Sequence, residues 1–170
     1  MLTPDIITGT KSDEQLQALL ASELSRLAGP ASSEDIDIFV HRLSLLPRGL
    51  RAMAATYDLD VSITLDDLGF HFANWHHEPF ALETLSGLRE LGAAEAADLF
   101  ERAFSAVKRH WAFLSSPEFA TTYFDSPLYG EIAPLNRRFW ALHGSQPGAT
   151  PLLDLWAPYA RLHPANVCAA

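Results

Sequence analysis

Residues 66–111 decide the fold and read DDLGFHFANWHHEPFALETLSGLRELGAAEAADLFERAFSAVKRHW. In the second half of this stretch, apolar residues recur at steps of three and four, as on one face of a helix. They are Ala96, Phe100, Ala103, Phe104, Val107 and Trp111. The preceding segment places Ala81, Leu85 and Leu88 on one side and runs to Gly92, a residue that suits a helix C-terminus. Because each helix has only one apolar side, we expect the two to pack on each other and on the rest of the chain.

The remaining chain repeats this pattern. Capping residues and first-turn prolines predict further helices that begin near Ser12, Ser32, Pro47, Thr64 and Pro151. We therefore predict an all-α fold, a single compact domain of about seven to nine helices over residues 1–170. Residues 1–10 and 165–170 are expected to be loose ends.

Two short segments are harder to assign. In the segment from Asp58 to Ile63, Val61 and Ile63 alternate with polar residues, which is compatible with a short extended piece, although so few residues do not establish a sheet. The segment Ser126 to Gly130 is interpreted as a loop.

Charge and cysteine content narrow the class of protein. The 170 residues contain 21 acids and 12 lysines and arginines, giving a net charge of −9, and 48% of residues are hydrophobic. Cys168 is the only cysteine, so no intrachain disulfide can form and a reducing compartment is favoured. The N-terminus lacks a secretory signal pattern, and every apolar run is far shorter than the roughly 18 residues that span a membrane. We expect a soluble, cytoplasmic protein.

The acidic excess is concentrated in the first part of the chain. Residues 1–67 carry 11 acids and 5 bases, a net charge of −6, whereas the remainder carries −3. A negative field repels nucleic acid and attracts basic surfaces. The competing interpretation is a solvated surface that only keeps the protein in solution.

The residues that carry chemistry are sparse. The best metal candidate is the group His71, His76 and His77, near Asp66, Asp67 and Glu78, because imidazole and carboxylate suit zinc or iron. However, His71 and His76 are five residues apart, not four, so one helix would not point them the same way. A polar helix end with one half-buried imidazole explains the same residues. No nucleophile elbow or glycine-rich phosphate loop occurs, so no catalytic residue and no cofactor are predicted.

Three stretches of the chain resemble a known bacterial family. The first is Leu46–Arg51, continuing into Tyr57–Asp60. The second is Gly69–Asn74, followed by Leu82–Ala93 and Ala97–Ala103. The third is Leu135–Trp140, followed by Leu152–Pro164. Over about residues 40–165 the chain is similar to the DNA mimic protein 19 family. The family's Asn-Gly-Gly-Phe turn is replaced here by Asp67-Leu68-Gly69-Phe70.

The resemblance implies an all-helical fold, often a homodimer, that binds a DNA-binding protein by placing carboxylates where phosphates would lie. It implies a basic protein partner, such as a transcription regulator, and no direct contact with nucleic acid or membrane. Acid density, and not the family pattern, selects the candidate partner-binding residues, which are Glu34, Asp35, Asp37, Asp58, Asp60, Asp66 and Asp67.

Three alternatives remain open beside this non-enzymatic binding protein. One is a metal-dependent enzyme that uses the His71, His76 and His77 group. A second is an inhibitor of the immunity or antitoxin kind. The third is a structural subunit that acts through its dimer face alone.

Overall fold

Helices account for about three quarters of the chain in the computed structural model, which describes residues 1–168. Within them lie eleven α-helices, three short 3-10 segments and no strand, so the predicted all-α class is confirmed. The α-helices are α1 Pro4–Gly9, α2 Asp13–Leu27, α3 Ile36–Ser44, α4 Arg48–Leu65, α5 Leu68–Asn74, α6 Glu78–Glu90, α7 Ala94–Arg109, α8 Trp111–Leu114, α9 Phe119–Thr122, α10 Pro127–His143 and α11 Trp156–Leu162. The 3-10 segments are Tyr123–Asp125, Leu152–Leu155 and Pro164–Val167.

The long helix α4 is the axis of the domain. Its C-terminal residues Leu59 and Ile63 belong to one buried cluster, shared mainly with α5, α6, α7 and α10. Its N-terminal residues Leu50 and Met53 belong to a second cluster, shared mainly with α1, α2, α3 and α11. Because both clusters close on one helix, the two halves of the chain form a single compact domain.

A close approach joins α4 to α6. A side chain at Gly87 would come within 2.8 Å of the backbone oxygen of Ala52, so only glycine allows this spacing. The hydroxyl of Thr84, also on α6, donates to the carbonyl of Ala55 at 2.9 Å. The turn after α6 then uses Gly92 at a φ of 78°, the left-handed conformation expected of a helix C-terminus. The predicted pair of helices in residues 66–111 is therefore present as α6 and α7.

Several sequence predictions need correction. The segment from Asp58 to Ile63 lies inside α4, because its residues alternate between core and surface at helical spacing. Residues 1–10 are not loose: they contain α1, whose Ile7 is fully buried. Residues Pro164–Val167 are likewise ordered by the burial of Val167, whereas residues 169–170 lie outside the described part. The predicted loop at Ser126 is a helix start, since the Ser126 hydroxyl accepts from the amide of Tyr129.

Within residues 1–168, no helix combines the length and the apolar content that crossing a membrane requires.

Candidate partner-binding surface

Three of the seven predicted acids stand exposed where α3 begins. Glu34 and Asp35 precede the helix and Asp37 lies in its first turn, where the helix dipole favours negative charge. The side chain of Asp37 is 92% exposed, and its Oδ1 lies 2.9 Å from Nε2 of His77. Because Nδ1 of His77 accepts from the amide of Phe80, a neutral His77 carries its proton on Nε2 and donates it to Asp37. This contact leaves the negative charge of Asp37 in place.

Asp58 and Asp66 border a groove at the C-terminal half of α4. The groove has a volume of about 390 Å³, and its other wall includes Ser33, the residue directly before Glu34. An adjoining groove shares Ser33 and reaches His77, the partner of Asp37. None of the described residues that line either groove is a lysine or an arginine. The two grooves share Ser33, Asn74 and Trp75, so Asp58 and Asp66 border a groove whose opposite wall lies next in sequence to Glu34, whereas Glu34, Asp35 and Asp37 themselves line neither groove.

Two of these carboxyls hold their protons more tightly than usual. Burial raises the pKa of Asp58 to about 6, and the carboxylate accepts no hydrogen bond from a described residue that would offset this. Burial, followed by the nearby charge of Asp67, raises the pKa of Asp66. With a pKa of about 6, Asp58 is mainly ionised above neutral pH and keeps a negative charge at the groove there.

Asp60 and Asp67 are the two predicted acids that the structure does not bring to the surface. Asp60 is 8% exposed, and its Oδ1 accepts from the amide of Leu152 at the start of a 3-10 segment. Asp67 is 3% exposed and caps α5 by accepting from the amide of Phe70 at 3.0 Å. Both carboxylates are used inside the fold, so neither can meet a partner.

Basic side chains neutralise a different set of acids. Nine of the twelve lysines and arginines lie within 4 Å of a carboxylate. The acids they pair with are Asp13, Glu23, Glu78, Glu83, Glu90, Glu95, Asp98, Glu101 and Glu131. None of the seven predicted acids belongs to this set, and in the described residues none has a lysine or arginine within 4 Å. Twelve acids and three lysines or arginines remain outside these pairs, so the seven predicted acids make up a large part of the uncompensated negative charge.

The three histidines of the predicted metal group point to different partners. His71 is buried, its Nδ1 lies 3.0 Å from the hydroxyl of Ser62, and burial lowers its pKa to about 3. His76 stacks on Trp111 with ring centroids 4.2 Å apart, and its Nε2 lies 3.0 Å from the Trp111 carbonyl. His77 caps α6, as described above. In residues 1–168, no three histidine, cysteine or acidic side chains converge in a way that could hold a metal ion. This geometry gives the metal-enzyme alternative no support.

Sequence reasoning missed Ser33, Asn74 and Trp75, which line both grooves. No pattern in the sequence marks them, because they meet only when the loop before α3 lies against the end of α5.

Comparison with known proteins gives one match. A family model described as DMP19-like protein matches residues 44–163, which is more than two thirds of the chain. The matched range includes Asp58 and Asp66, whereas Glu34, Asp35 and Asp37 precede it. No curated protein and no solved structure matches the chain.

Proposed function

This chain belongs to the DMP19-like protein family, and from that premise we propose that it is a non-enzymatic acidic binding protein. Its partner is a basic protein, in the first instance a DNA-binding regulator. The acidic surface of the chain occupies the part of the partner that otherwise receives DNA phosphates. It consists of the exposed carboxylates of Glu34, Asp35, Asp37 and Asp66 and of the half-buried Asp58.

The observation that supports this proposal is the segregation of charge. Arginines and lysines neutralise acids mainly on α6, α7 and α10, whereas the acids around α3 and the end of α4 have no such partner. A regulator's DNA-binding surface is built for closely spaced negative charge, since B-DNA carries about one charge per 1.7 Å of helix axis. Glu34 and Asp35 lie in the turn before α3, and Asp66 follows the end of α4, so the packed domain holds their backbone before binding, which lowers the entropy cost of association.

A homodimer is part of the proposal. Two copies related by a two-fold axis would present the same acidic surface twice. A dimeric DNA-binding regulator likewise binds two DNA half-sites that are related by a two-fold axis. Light scattering on the purified protein measures this assembly directly.

The test is competition against operator DNA. The protein is immobilised, a DNA-binding regulator from the source cells is captured on it, and the purified regulator is then bound to its fluorescent operator. Titration with the full chain is expected to release the DNA, more efficiently at low salt than at moderate salt. The test variant neutralises three exposed acids, as Glu34→Gln, Asp35→Asn and Asp37→Asn.

A matched control separates position from net charge. It neutralises three exposed acids of α7, as Glu95→Gln, Asp98→Asn and Glu101→Gln. Each of these acids already has an arginine partner, and exposed pairs contribute only about 0–1 kcal/mol, so the fold should persist. We expect the control to release DNA like the wild type and the test variant to release it poorly.

Two results would count against the proposal. Equal loss in both variants would mean that only overall charge matters. If the captured basic protein is an enzyme that binds no DNA, the immunity or antitoxin alternative takes precedence.

A further inference from the structure

A further cavity lies against α4 and shares Asp58 with the groove that Asp58 and Asp66 border. It has a volume of about 340 Å³ and is enclosed by α2, the turn after α2, α3, α4 and α11. Its walls are mostly apolar and include Leu24, Phe39 and the ring of Trp156. Tyr57, which is 47% exposed, stands beside Trp156 with ring centroids 6.2 Å apart. Among the described residues that line the cavity, Asp58 is the only charged one.

The wall formed by the turn is fixed in place. Gly29 has a φ of 69°, a left-handed conformation that glycine adopts without strain. The guanidinium of Arg42 donates to the carbonyl of Ala28 at 3.2 Å and so ties the turn to α3. Pro30 follows and restricts the backbone further. The cavity therefore has a defined shape before any ligand arrives.

Two polar groups on residues that line this cavity lack partners. No described residue donates a hydrogen bond or forms an ion pair with the carboxylate of Asp58, although the group is half-buried. Trp156 is 2% exposed, and its indole Nε1 is buried with no hydrogen-bond acceptor within the described chain. Buried polar groups are normally satisfied, so each of these calls for an explanation.

We propose that this cavity is a binding site for a small amphiphilic amine, with its apolar body against the Phe39 and Trp156 walls and its ammonium group against Asp58.

The chemistry of the lining selects this class. About 300–1,000 Å³ is usual for small-molecule sites, which are mainly apolar with a few polar groups that fix orientation. A neutral apolar molecule would leave Asp58 without a counter-charge, and an anion would be repelled by it. The face of Tyr57 at the mouth adds attraction for a cation.

The probe is 2-phenylethylamine, titrated into the full-length protein labelled with nitrogen-15 and followed by nuclear magnetic resonance. We expect saturable shifts confined to residues around the cavity, including the amides of Tyr57 and Asp58. The matched neutral compound, 2-phenylethanol, should bind about tenfold more weakly at pH 7.5, because it cannot form the charge-assisted bond to Asp58. Below pH 6 the difference should shrink, since Asp58 becomes protonated. Tyr57 is the only other titratable lining residue, and Asp66 borders the neighbouring groove.

Variants decide between this site and non-specific binding. Asp58→Asn should make the amine bind as weakly as the alcohol, whereas Asp98→Asn removes the same charge on α7, outside the cavity lining, and should leave the affinity for both compounds unchanged. Ala54→Leu fills part of the cavity and should weaken both compounds. The proposal is overturned if the amine causes no saturable shifts, if its affinity survives both Asp58→Asn and Ala54→Leu, or if amine and alcohol bind equally. Asp58 also belongs to the proposed partner surface, so the two proposals are separated by the variant with Glu34→Gln, Asp35→Asn and Asp37→Asn, which leaves the cavity lining intact and should bind the amine like the wild type even where it fails to release operator DNA.

Discussion

Replacing Asp67 by alanine should destabilise the folded protein more than replacing any other of the acids predicted for the partner surface. One oxygen of the carboxylate caps α5 through the amide of Phe70. The other accepts from the hydroxyl of Tyr123 at 2.8 Å and from Nδ2 of Asn136 at 2.9 Å. Asn136 in turn accepts from the amide of Leu68 at 3.2 Å. One side chain thus ties α5 to the Tyr123 segment and to α10.

The magnitude follows from what alanine leaves behind. Loss of an N-cap costs about 1 kcal/mol. Tyr123 and Asn136 are 0% and 1% exposed, so water cannot replace the lost acceptor. Each donor left unsatisfied costs about 1–2 kcal/mol. The sum is about 3–5 kcal/mol in the free energy of unfolding, a large fraction of the stability of a domain of this size.

Asp66 supplies the matched control, because it is adjacent in sequence and carries the same charge. Its side chain is exposed, and the hydrogen bond from Trp140 Nε1 goes to its backbone oxygen, which alanine retains. Asp66→Ala should change the free energy of unfolding by less than about 0.5 kcal/mol. Urea unfolding followed by circular dichroism at pH 7.5 measures both variants against the wild type.

The reasoning is refuted if the two variants unfold at the same urea concentration with the same slope. That result would mean that the Asp67 carboxylate contributes no more to the fold than an exposed acid, and Asp67 would return to the set of partner-binding candidates.

Three further predictions concern stability. Because burial raises the pKa of Asp58 to about 6, from about 3.9 when unfolded, the folded state binds the extra proton between these values. The free energy of unfolding should therefore fall as the pH rises through this window. Asp58→Asn should be more stable than the wild type by about 1–3 kcal/mol at pH 7.5 and equal to it below pH 4. Urea unfolding of both proteins at each pH measures the difference. A side chain at Gly69 would lie 2.1 Å from the hydroxyl of Tyr123, so Gly69→Ala should lower the free energy of unfolding by about 1–3 kcal/mol. At Gly130 in α10, a side chain would meet nothing within 4 Å, so Gly130→Ala should instead raise it by roughly 0.5–1 kcal/mol. A loss of stability in Gly130→Ala would contradict the comparison. Because the three histidines of the predicted metal group diverge, EDTA should leave the thermal midpoint unchanged, and stoichiometric zinc or iron in protein purified without added metal would show this to be wrong.

Much of the fold was predictable from local pattern. The α6 and α7 helices follow from apolar spacing and from Gly92, whose positive φ ends α6 where the sequence placed the stop. Capping at Ser12 was also recognisable, since its hydroxyl accepts from the amide of Gln15. The predictions failed where a distant contact supplies the stability. Residues 1–10 form a helix whose Ile7 is buried by other parts of the chain, in addition to the local N-cap of Thr3 and the first-turn proline Pro4.

The candidate surface divides in the same way. The exposed acids before α3 lie in a polar, helix-starting segment, and no lysine or arginine in residues 1–168 lies within 4 Å of Glu34 or Asp35. Asp60 and Asp67 carry the same charge and stand in equally acidic sequence, yet both are buried. The indole of Trp156 and the carboxyl of Asp58 meet at one cavity although they are far apart along the chain.

The sequence alone determined the helical class, the net charge and the family, because amphipathic spacing, side-chain ionisation and motif order are local properties. Only the tertiary structure decided which carboxylates face water. Asp60 is satisfied by an amide 92 residues away and Asp67 by donors 56 and 69 residues away. A carboxylate is exposed or buried according to the donors that packing brings to it, and those donors are remote in the chain.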